Sequence, residues 1–409
     1  RIGVGVIGAG TVGGGVIKAL QTNHDQIAHK AGVDVALVHV ADLRQECLAE
    51  FDLMGVTVSG DAEALVNDPA VDVVCELIGG TGAAKTFILK ALNARKNVVT
   101  ANKMLLAKAG VELCQAAIAN GVELRYEASV AGGIPIIKAL REGLAANRIE
   151  FIYGILNGTC NYILSRMTYD GLEFDAALSQ AQALGFAETP PDLDIEGHDT
   201  AHKCQILASL CYSTQVPLES VYVEGITKVT RDDVAYAGEM GYLIKLLAII
   251  RSVDGGIEAR VHPTLVPETH LLASVRNEFN AVYVKGDIVD ATLYYGRGAG
   301  RMPTASAVLA DIIGPSHEGA DMGGPGQRPV APVPRAQPRQ HLTRQGSAEA
   351  VARRRAQASC IQRDPHGKEH VHVVMMTHET TEAALRAALA RIEELDCIEE
   401  PTHVLRVLG

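Results

Sequence analysis

None of the eight cysteines in this 409-residue chain forms a Cys-x-x-Cys pair, and no apolar run is long enough to cross a bilayer. Cys47, Cys75, Cys114, Cys160, Cys204, Cys211, Cys360 and Cys397 are scattered, several inside apolar stretches such as VVCEL and ILASLCY. That scatter excludes a sequence-evident zinc site or disulfide frame and reads as reduced thiols of a cytoplasmic protein. The most apolar stretch near a helix, 242–250, is too short to span and contains Lys245. Positive charge is also scarce: 37 Lys and Arg against 48 Asp and Glu give a net charge of −11. A nucleic-acid binder usually shows a basic face, so polyanionic partners are not expected. A small anionic substrate stays open, because a local pocket can oppose the global sign. No secretory leader precedes the first strand, and Arg1 stands where an initiator Met would, so the chain reads as trimmed at its start.

What is present is ordinary soluble composition, 47% hydrophobic and 21% charged, in a length sufficient for two or three domains. Residues 2–7 (IGVGVI) form a short apolar strand, followed by glycines and a helical pattern over 11–20. Strands follow at 33–40, 71–78 and 97–100, with helices between. Near-continuous apolar strands alternating with helices predict a parallel sheet covered on both faces. From about Ile136 the pattern changes to longer helices (175–184 and 199–212) among alternating strands at 221–229 and 281–296, the latter a hairpin turning at Gly286-Asp287. This predicts a mixed α+β substrate domain whose sheet could also pair subunits. Residues 315–363 carry Pro315, Pro325, Pro329, Pro332, Pro334 and Pro338, many Arg and Gln and no Lys, and read as irregular, either disordered or out of frame. Order resumes with a strand at 371–378, a helix at 380–395 and a strand at 402–408.

Gly8-Ala9-Gly10-Thr11-Val12-Gly13 follows the first strand and opens the first helix. The first glycine of such a turn permits the tight bend, the second lets a pyrophosphate approach, and the third allows close helix–strand packing. Amides at the helix N-terminus then hold the phosphates. The strand–turn–helix context turns a weak motif into a strong expectation of a bound dinucleotide. At the end of the second strand, Asp42 would hold the ribose hydroxyls of NAD, whereas Arg44 would favour the 2′-phosphate of NADP. The acidic group tips the expectation toward NAD; taken singly, either residue could equally be a solvated loop charge.

The densest chemistry lies at 185–203, GFAETPPDLDIEGHDTAHK, with five carboxylates inside twelve residues. Asp192, Asp194, Glu196 and Gly197 imitate the opening of a calcium loop, but the twelfth position is Lys203 and no flanking helix pair is evident. Asp199 and Lys203 are four apart and share a helix face that continues through Ile206, Leu207 and Leu210. Such spacing is most often a surface ion pair. Here the face is the apolar stripe, and a lysine entering it needs the partner that Asp199 supplies. An ammonium held near a reacting oxygen is what alcohol or aldehyde chemistry requires. Lys103, at the carboxyl end of the strand NVVT, occupies the place where open α/β sheets bind ligands, although a lone loop lysine is normally just solvated.

Taken together, GAGTVG, ELIGG (76–80), VVTANK (98–103), YEASVAGGIPII (126–137), GILNGTCNYIL (154–164), the Asp194-x-x-Gly197-x-Asp199-x-x-x-Lys203 core and YYGRGAGRMPTASAVLADI (294–312) resemble the homoserine dehydrogenase family over 1–314. The resemblance implies a Rossmann-type doubly wound parallel sheet over 1–135, a mixed α+β substrate and dimerisation domain over 136–297, and a returning helix at 298–314. The segment 315–363 would be the irregular one, and 364–409 would be a partial ACT-like βαβ. It implies NAD(P)-dependent interconversion of L-homoserine and L-aspartate 4-semialdehyde in threonine and methionine biosynthesis. Lys203 and Lys103 would stand closest to the chemistry, with Asp199 orienting Lys203, and Glu188 and Asp194, with Lys103, would bind substrate. Cofactor contacts are expected from Gly8, Ala9, Gly10, Thr11, Val12, Gly13, Asp42, Arg44, Gly80, Thr81, Lys103 and Gly298. A monovalent cation, Na+ or K+, would sit on Glu127, Val130, Gly132 and Ile134. A homodimer or higher homo-oligomer is implied as well.

Two departures from the family pattern stand out. Pro190-Pro191 removes one carboxylate of the substrate loop, and the segment from Gly79 to Ala84 lacks its proline. Two rival readings attach to the same residues. A semialdehyde dehydrogenase would need an activated cysteine, for which Cys160 is the only candidate near a motif. A catalytically impaired dinucleotide-binding homologue would keep the fold without the activity. The half-domain at the C-terminus has no visible partner half, so 315–409 is expected to be removable without loss of the enzyme.

Overall fold

The computed structural model describes residues 1–187, 189–253, 255–314, 359–363, 372–377, 380–394 and 402–408. Six parallel strands make the first sheet: β1 (Ile2–Ile7), β2 (Val35–Ala41), β3 (Thr57–Ser59), β4 (Val73–Glu76), β5 (Asn97–Thr100) and β6 (Leu124–Arg125). Their spatial order is β3-β2-β1-β4-β5-β6, the doubly wound arrangement whose order reverses beside the first strand, where such sheets bind dinucleotides. β1 is buried throughout except at Ile2, which explains its unbroken apolar sequence.

The second sheet is mixed. β7 (Ile149–Ile155), β8 (Tyr222–Val223), β9 (Tyr242–Val253), β10 (Gly256–Pro267), β11 (Phe279–Gly286) and β12 (Asp290–Arg297) lie in the order β12-β11-β7-β9-β10, with β8 also on β10. The apolar run at 242–250, read from sequence as lying near a helix, belongs to the long strand β9. The strand expected at 221–229 is only the two residues of β8. Past it the chain leaves the edge, because Ile226 N–H donates to the Ile195 carbonyl at 2.8 Å instead of continuing the ladder. The β11–β12 turn falls at 287–289, slightly beyond Gly286-Asp287, where Asn147 accepts from the amides of Ile288 and Val289.

The helix Arg301–Ile313 crosses back to the first sheet and packs on the first helix, Thr11–Thr22. Ala305, Val308, Leu309 and Ile312 share one apolar cluster with Val16, Ala19 and Leu20. Gly15 lets the two helices touch, since a Cβ there would lie 2.5 Å from the Arg301 carbonyl oxygen. The helix His198–Cys211 packs on the helix Lys103–Asn120 of the nucleotide half and on β9 and β10 of the other, so it bridges the two sheets.

The tail differs from its expected form. β13 (Ser359–Arg363), at the end of the segment read as irregular, pairs antiparallel with β14 (His372–Met376); residues 315–358 lie outside the described residues. A helix, Glu382–Glu393, follows, capped by Thr381. The last strand, β15 (Arg406–Val407), pairs in parallel with β10 of the second sheet and not with β14. Leu405 packs against the main apolar core and Leu408 against the apolar cluster of the second sheet around Tyr153 and Leu247. Residues 402–408 therefore lie along an edge of the substrate half.

Candidate active site

The first helix has Gly10 as its N-cap, with no side-chain cap and no acidic residue in its first turn, so its leading amides are left for an anion. Gly8 has φ +92, and a Cβ on Gly13 would lie 1.8 Å from the Gly8 carbonyl oxygen. Both glycines are required by the chain's own packing. Gly10 meets nothing closer than an Arg44 guanidinium nitrogen at 3.5 Å, which leaves the open side where a pyrophosphate would approach.

Asp42 is 9% exposed and its oxygens are engaged by backbone: Oδ2 accepts from Ala9 N–H at 2.6 Å and Oδ1 from Arg44 N–H at 2.8 Å. The Arg44 side chain stands out into solvent at 68% exposure, beside the glycine turn. The loop that carries Gly80 and Thr81 is held by Glu76, a fully buried carboxylate that sequence reading quoted only as part of a motif. Its Oε1 accepts from Ile78 and Gly79 amides at 3.0 and 3.3 Å, and its Oε2 from the Thr100 hydroxyl at 2.7 Å. Burial pushes Glu76 above its ordinary value, and these bonds oppose the shift. Asn102 ties this loop to Lys103: its Nδ2 donates to the Gly80 carbonyl at 2.7 Å and its Oδ1 caps the Lys103 helix at Leu105 N–H. Gly298 crosses Gly132 so closely that a Cβ on the latter would lie 2.4 Å from the Gly298 carbonyl oxygen.

Lys103 is thereby placed at the N-terminus of a helix, where the macrodipole disfavours a cation. The compensation is Asp199, whose Oδ1 lies 2.6 Å from Lys103 Nζ. Asp199 Oδ2 accepts from Lys203 Nζ at 2.6 Å and from Asn157 Nδ2 at 2.9 Å. Asp199 and Lys203 are 5% and 8% exposed, on the buried stripe that the spacing predicts. Burial alone would raise the Asp199 carboxyl, but the two ammonium groups outweigh it and hold it well below the usual carboxylate range. Burial, reinforced by Lys103 and opposed by Asp199, pushes Lys203 below the ordinary lysine value. Lys203 also donates to the Leu156 carbonyl at 2.7 Å.

Asn157 is the organiser that the sequence reading passed over. Besides Asp199 it donates to Asp194 Oδ1 at 2.7 Å, while its own Oδ1 accepts from Cys160 N–H at 2.8 Å and caps the helix Gly158–Asp170. The signal was there: an Asn ahead of a helical run is an N-cap signature. Burial, then the neighbouring Asp199, raises Asp194, with the Asn157 bond opposing. Glu188 lies outside the described residues. Cys160 is buried, donates to the Asp194 carbonyl at 3.1 Å and is pushed well above a normal thiol by burial; it has no thiolate to offer, which removes the cysteine-acylating reading.

Glu127, expected in a cation site, is 1% exposed, and its two carboxylate oxygens accept from the amides of Ile137 and Lys138, each at 2.8 Å. Its carboxylate caps the first turn of the helix that opens at Ile136. Among the described residues no group of three or more His, Cys, Asp or Glu side chains could hold a metal.

A doubly wound nucleotide sheet, an uncapped helix N-terminus behind a glycine turn, and a buried Asp199–Lys203 pair met from the solvent side by Lys103 define an NAD(P)-dependent oxidoreductase of alcohols and aldehydes. Residues 8–127 match the family described as "Homoserine dehydrogenase, NAD binding domain", and residues 135–313 match "Homoserine dehydrogenase". A homoserine dehydrogenase of Neisseria gonorrhoeae is 43% identical over 99% of this chain and 98% of its own length. One of Bacillus subtilis is 38% identical over 100% and 98%. The crystal structure of a homoserine dehydrogenase from Thiobacillus denitrificans superposes with a TM-score of 0.84 at 41% identity, covering 100% of this chain and 98% of that one. A hyperthermophilic archaeal homoserine dehydrogenase in complex with NADPH aligns with a TM-score of 0.64 at 25% identity, over 76% of this chain and 96% of that one. The chain belongs to the homoserine dehydrogenase family, the oxidoreductases that interconvert L-homoserine and L-aspartate 4-semialdehyde with NAD(P). The impaired-homologue reading falls with the full-length match to working relatives. No helix of the described residues is long and apolar enough to cross a membrane.

Proposed function

We propose that Lys203 is the proton donor and acceptor at the substrate C4 oxygen, and that the cluster it forms with Asp199 and Lys103 carries the reaction. The supporting observation is the count of donors on one ammonium. Lys203 has three N–H bonds; one goes to Asp199 and one to the Leu156 carbonyl, which leaves one to aim at a substrate oxygen. Bound NAD(P)H supplies the hydride that adds to the aldehyde carbon. Lys203 stabilises the developing alkoxide and delivers its proton to that oxygen; in the oxidative direction neutral Lys203 takes the proton back. Asp199 holds both lysine side chains in place through its two carboxylate oxygens. Asp194, a partly desolvated carboxylate raised by burial, suits the substrate ammonium, and Glu188 and Lys103 complete the grip on homoserine.

For the cofactor, Arg44, exposed beside the glycine turn, would favour the 2′-phosphate of NADP, while Asp42, whose oxygens each keep a second acceptor site, would hold the ribose hydroxyls of NAD. A monovalent cation would rest on the carbonyls of Val130, Gly132 and Ile134 without the Glu127 carboxylate, so no catalytic step is assigned to it. A cytoplasmic homodimer or higher homo-oligomer paired through the second sheet completes the reading.

The test is steady-state oxidation of homoserine by the purified chain and by Lys203→Ala. The variant is expected to lose at least about 10²-fold in kcat, the usual scale for a positioned acid–base group, with cofactor affinity by fluorescence titration nearly unchanged. Turnover near that of the parent chain would sink the assignment.

A further inference from the structure

The outer edge of β10 carries two short strands end to end. β8 pairs at Arg260 and Val261, and β15 pairs four residues further on, at Thr264 and Leu265. Leu408 N–H extends the second ladder to the Leu265 carbonyl at 2.9 Å. Arg406 joins the two strands. One guanidinium nitrogen lies 2.8 Å from Glu224 Oε2, the other donates to the Tyr222 hydroxyl at 3.1 Å, and the guanidinium carbon stands 5.1 Å from the centroid of the Tyr222 ring. Tyr222 in turn donates to the same Glu224 oxygen at 2.8 Å, closing a three-membered network. Arg406 and Glu224 side chains are only 15% and 23% exposed, a setting in which an ion pair is screened less than at an open surface.

What β8 leads into matters for the site. Glu224 N–H donates to the Val261 carbonyl, and two residues on Ile226 N–H donates to the Ile195 carbonyl, each at 2.8 Å. Between them Gly225 passes so close beneath the turn that a Cβ would lie 2.3 Å from the Ile195 oxygen and 2.5 Å from Glu196 Cα. The segment 223–226 is thus the floor of the turn 194–197. That turn presents Asp194 and feeds through Gly197 into the helix bearing Asp199 and Lys203. A shift of this floor moves the substrate carboxylate before it moves anything at the nucleotide end.

We propose that the C-terminal segment 402–408 is a strap that positions the substrate-binding turn, and that Arg406 is its positioning residue, acting through Tyr222 and Glu224 on Asp194. This rests on the reading of Asp194 as a substrate contact. Arg406 touches no reacting atom, so its effect belongs in substrate affinity and not in proton or hydride transfer.

The experiment compares the full chain with Arg406→Ala and, because it keeps the side-chain shape, Glu224→Gln. Two readouts are used: hydrogen exchange of the amides at 195–197 and 226, and the separate kcat and KM values for homoserine and cofactor. Faster exchange at those amides, with KM for homoserine raised about five- to tenfold, kcat within about twofold and cofactor KM unchanged, is expected. Since the two substitutions break one network from opposite ends, the double variant should be no worse than the stronger single one. Unchanged exchange overturns the strap. Faster exchange with unchanged KM overturns Asp194 as a substrate contact and the strap's role in the reaction with it. Equal losses in every kinetic parameter, following a lowered Tm, would reduce the tail to a purely structural element. If Arg406→Ala does not fold, Glu224→Gln alone carries the same outcomes.

Discussion

At the scale of single residues the site is an arrangement of charges whose partners are nearly used up. Asp199 serves two ammonium groups and one amide, so its negative charge is shared, not spent on Lys203 alone. Burial, reinforced by Lys103 and only partly opposed by Asp199, leaves Lys203 below the ordinary lysine value of about 10.4. A pH dependence follows. Reduction of the aldehyde needs the protonated form and should fade as pH rises through the lowered Lys203 value. Oxidation of homoserine needs the neutral form and should grow across the same range. Profiles of kcat against pH in both directions check this, and a shared limb at or above the free-lysine value would contradict it. Arg44 offers a second test at this scale. Arg44→Ala should lower kcat/KM for NADPH by about ten- to a hundredfold, one charge-assisted phosphate contact being worth about 1.5–3 kcal/mol, while leaving NADH nearly unaffected. Equal losses with both cofactors would return the choice to Asp42. Lys203 and Asp199 were legible in sequence because four-residue spacing fixes a helix face and the flanking Ile206 and Leu207 say which face is buried, and Lys103 because it follows a strand at its carboxyl end. Asn157 showed its capping signature but not its bonds to Asp194 and Asp199, and Glu76 not its bond to Thr100, because these partners come together only by tertiary folding.

Elements were readable in proportion to how local their causes are. β1, the glycine turn and the first helix follow from an apolar run, the backbone needs of Gly8 and helical periodicity, each local to the stretch from Ile2 to Thr22. The strand expected at 221–229 failed because its pattern alternates correctly but its backbone is claimed by the turn at Ile195. The run of three glycines at 13–15 shows the same divide. Gly13 is explained by the nucleotide turn, whereas Gly15 has a reason only once the helix Arg301–Ile313 is seen lying on it. Gly15→Leu should force these helices apart and cost about 1–3 kcal/mol, the usual range for overpacking. Because the same helix offers its N-terminus to the phosphates, cofactor affinity should fall with stability. Thermal unfolding and a cofactor titration on the variant measure both, and an unchanged Tm would show that the helix pair has slack that its geometry denies.

At the scale of the whole molecule the question is what the last residues hold together. The sequence pattern predicts a strand over 402–408; only Arg406 and Val407 form one, and its partner, the edge of β10, is not legible in that pattern. Here it closes part of the β10 edge, half-buries Leu405 and Leu408, and sets His403 Nδ1 2.8 Å from an Asp233 oxygen. A chain ending at residue 401 loses all of this. Two half-buried leucines at about 1 kcal/mol each imply a Tm lower by several degrees, and the bared edge should promote association. The His403–Asp233 pair adds a pH signature to the comparison. The Asp233 bond raises His403 against an opposing burial effect, so its contribution is complete below the unfolded histidine value, about 6.5, and fades as pH rises through the raised value. Burial would raise Asp233, but the bonds from His403 and Thr230 hold it below its usual value, so its contribution is complete above about 3.9 and is lost as pH falls through the lowered value. The Tm difference between full-length and shortened chains should therefore be widest between about pH 4 and pH 6.5 and narrow toward alkaline pH. Paired thermal melts with light scattering across that range decide it: a difference that is absent, or that widens as pH rises, means that the tail does not hold the second sheet through this pair.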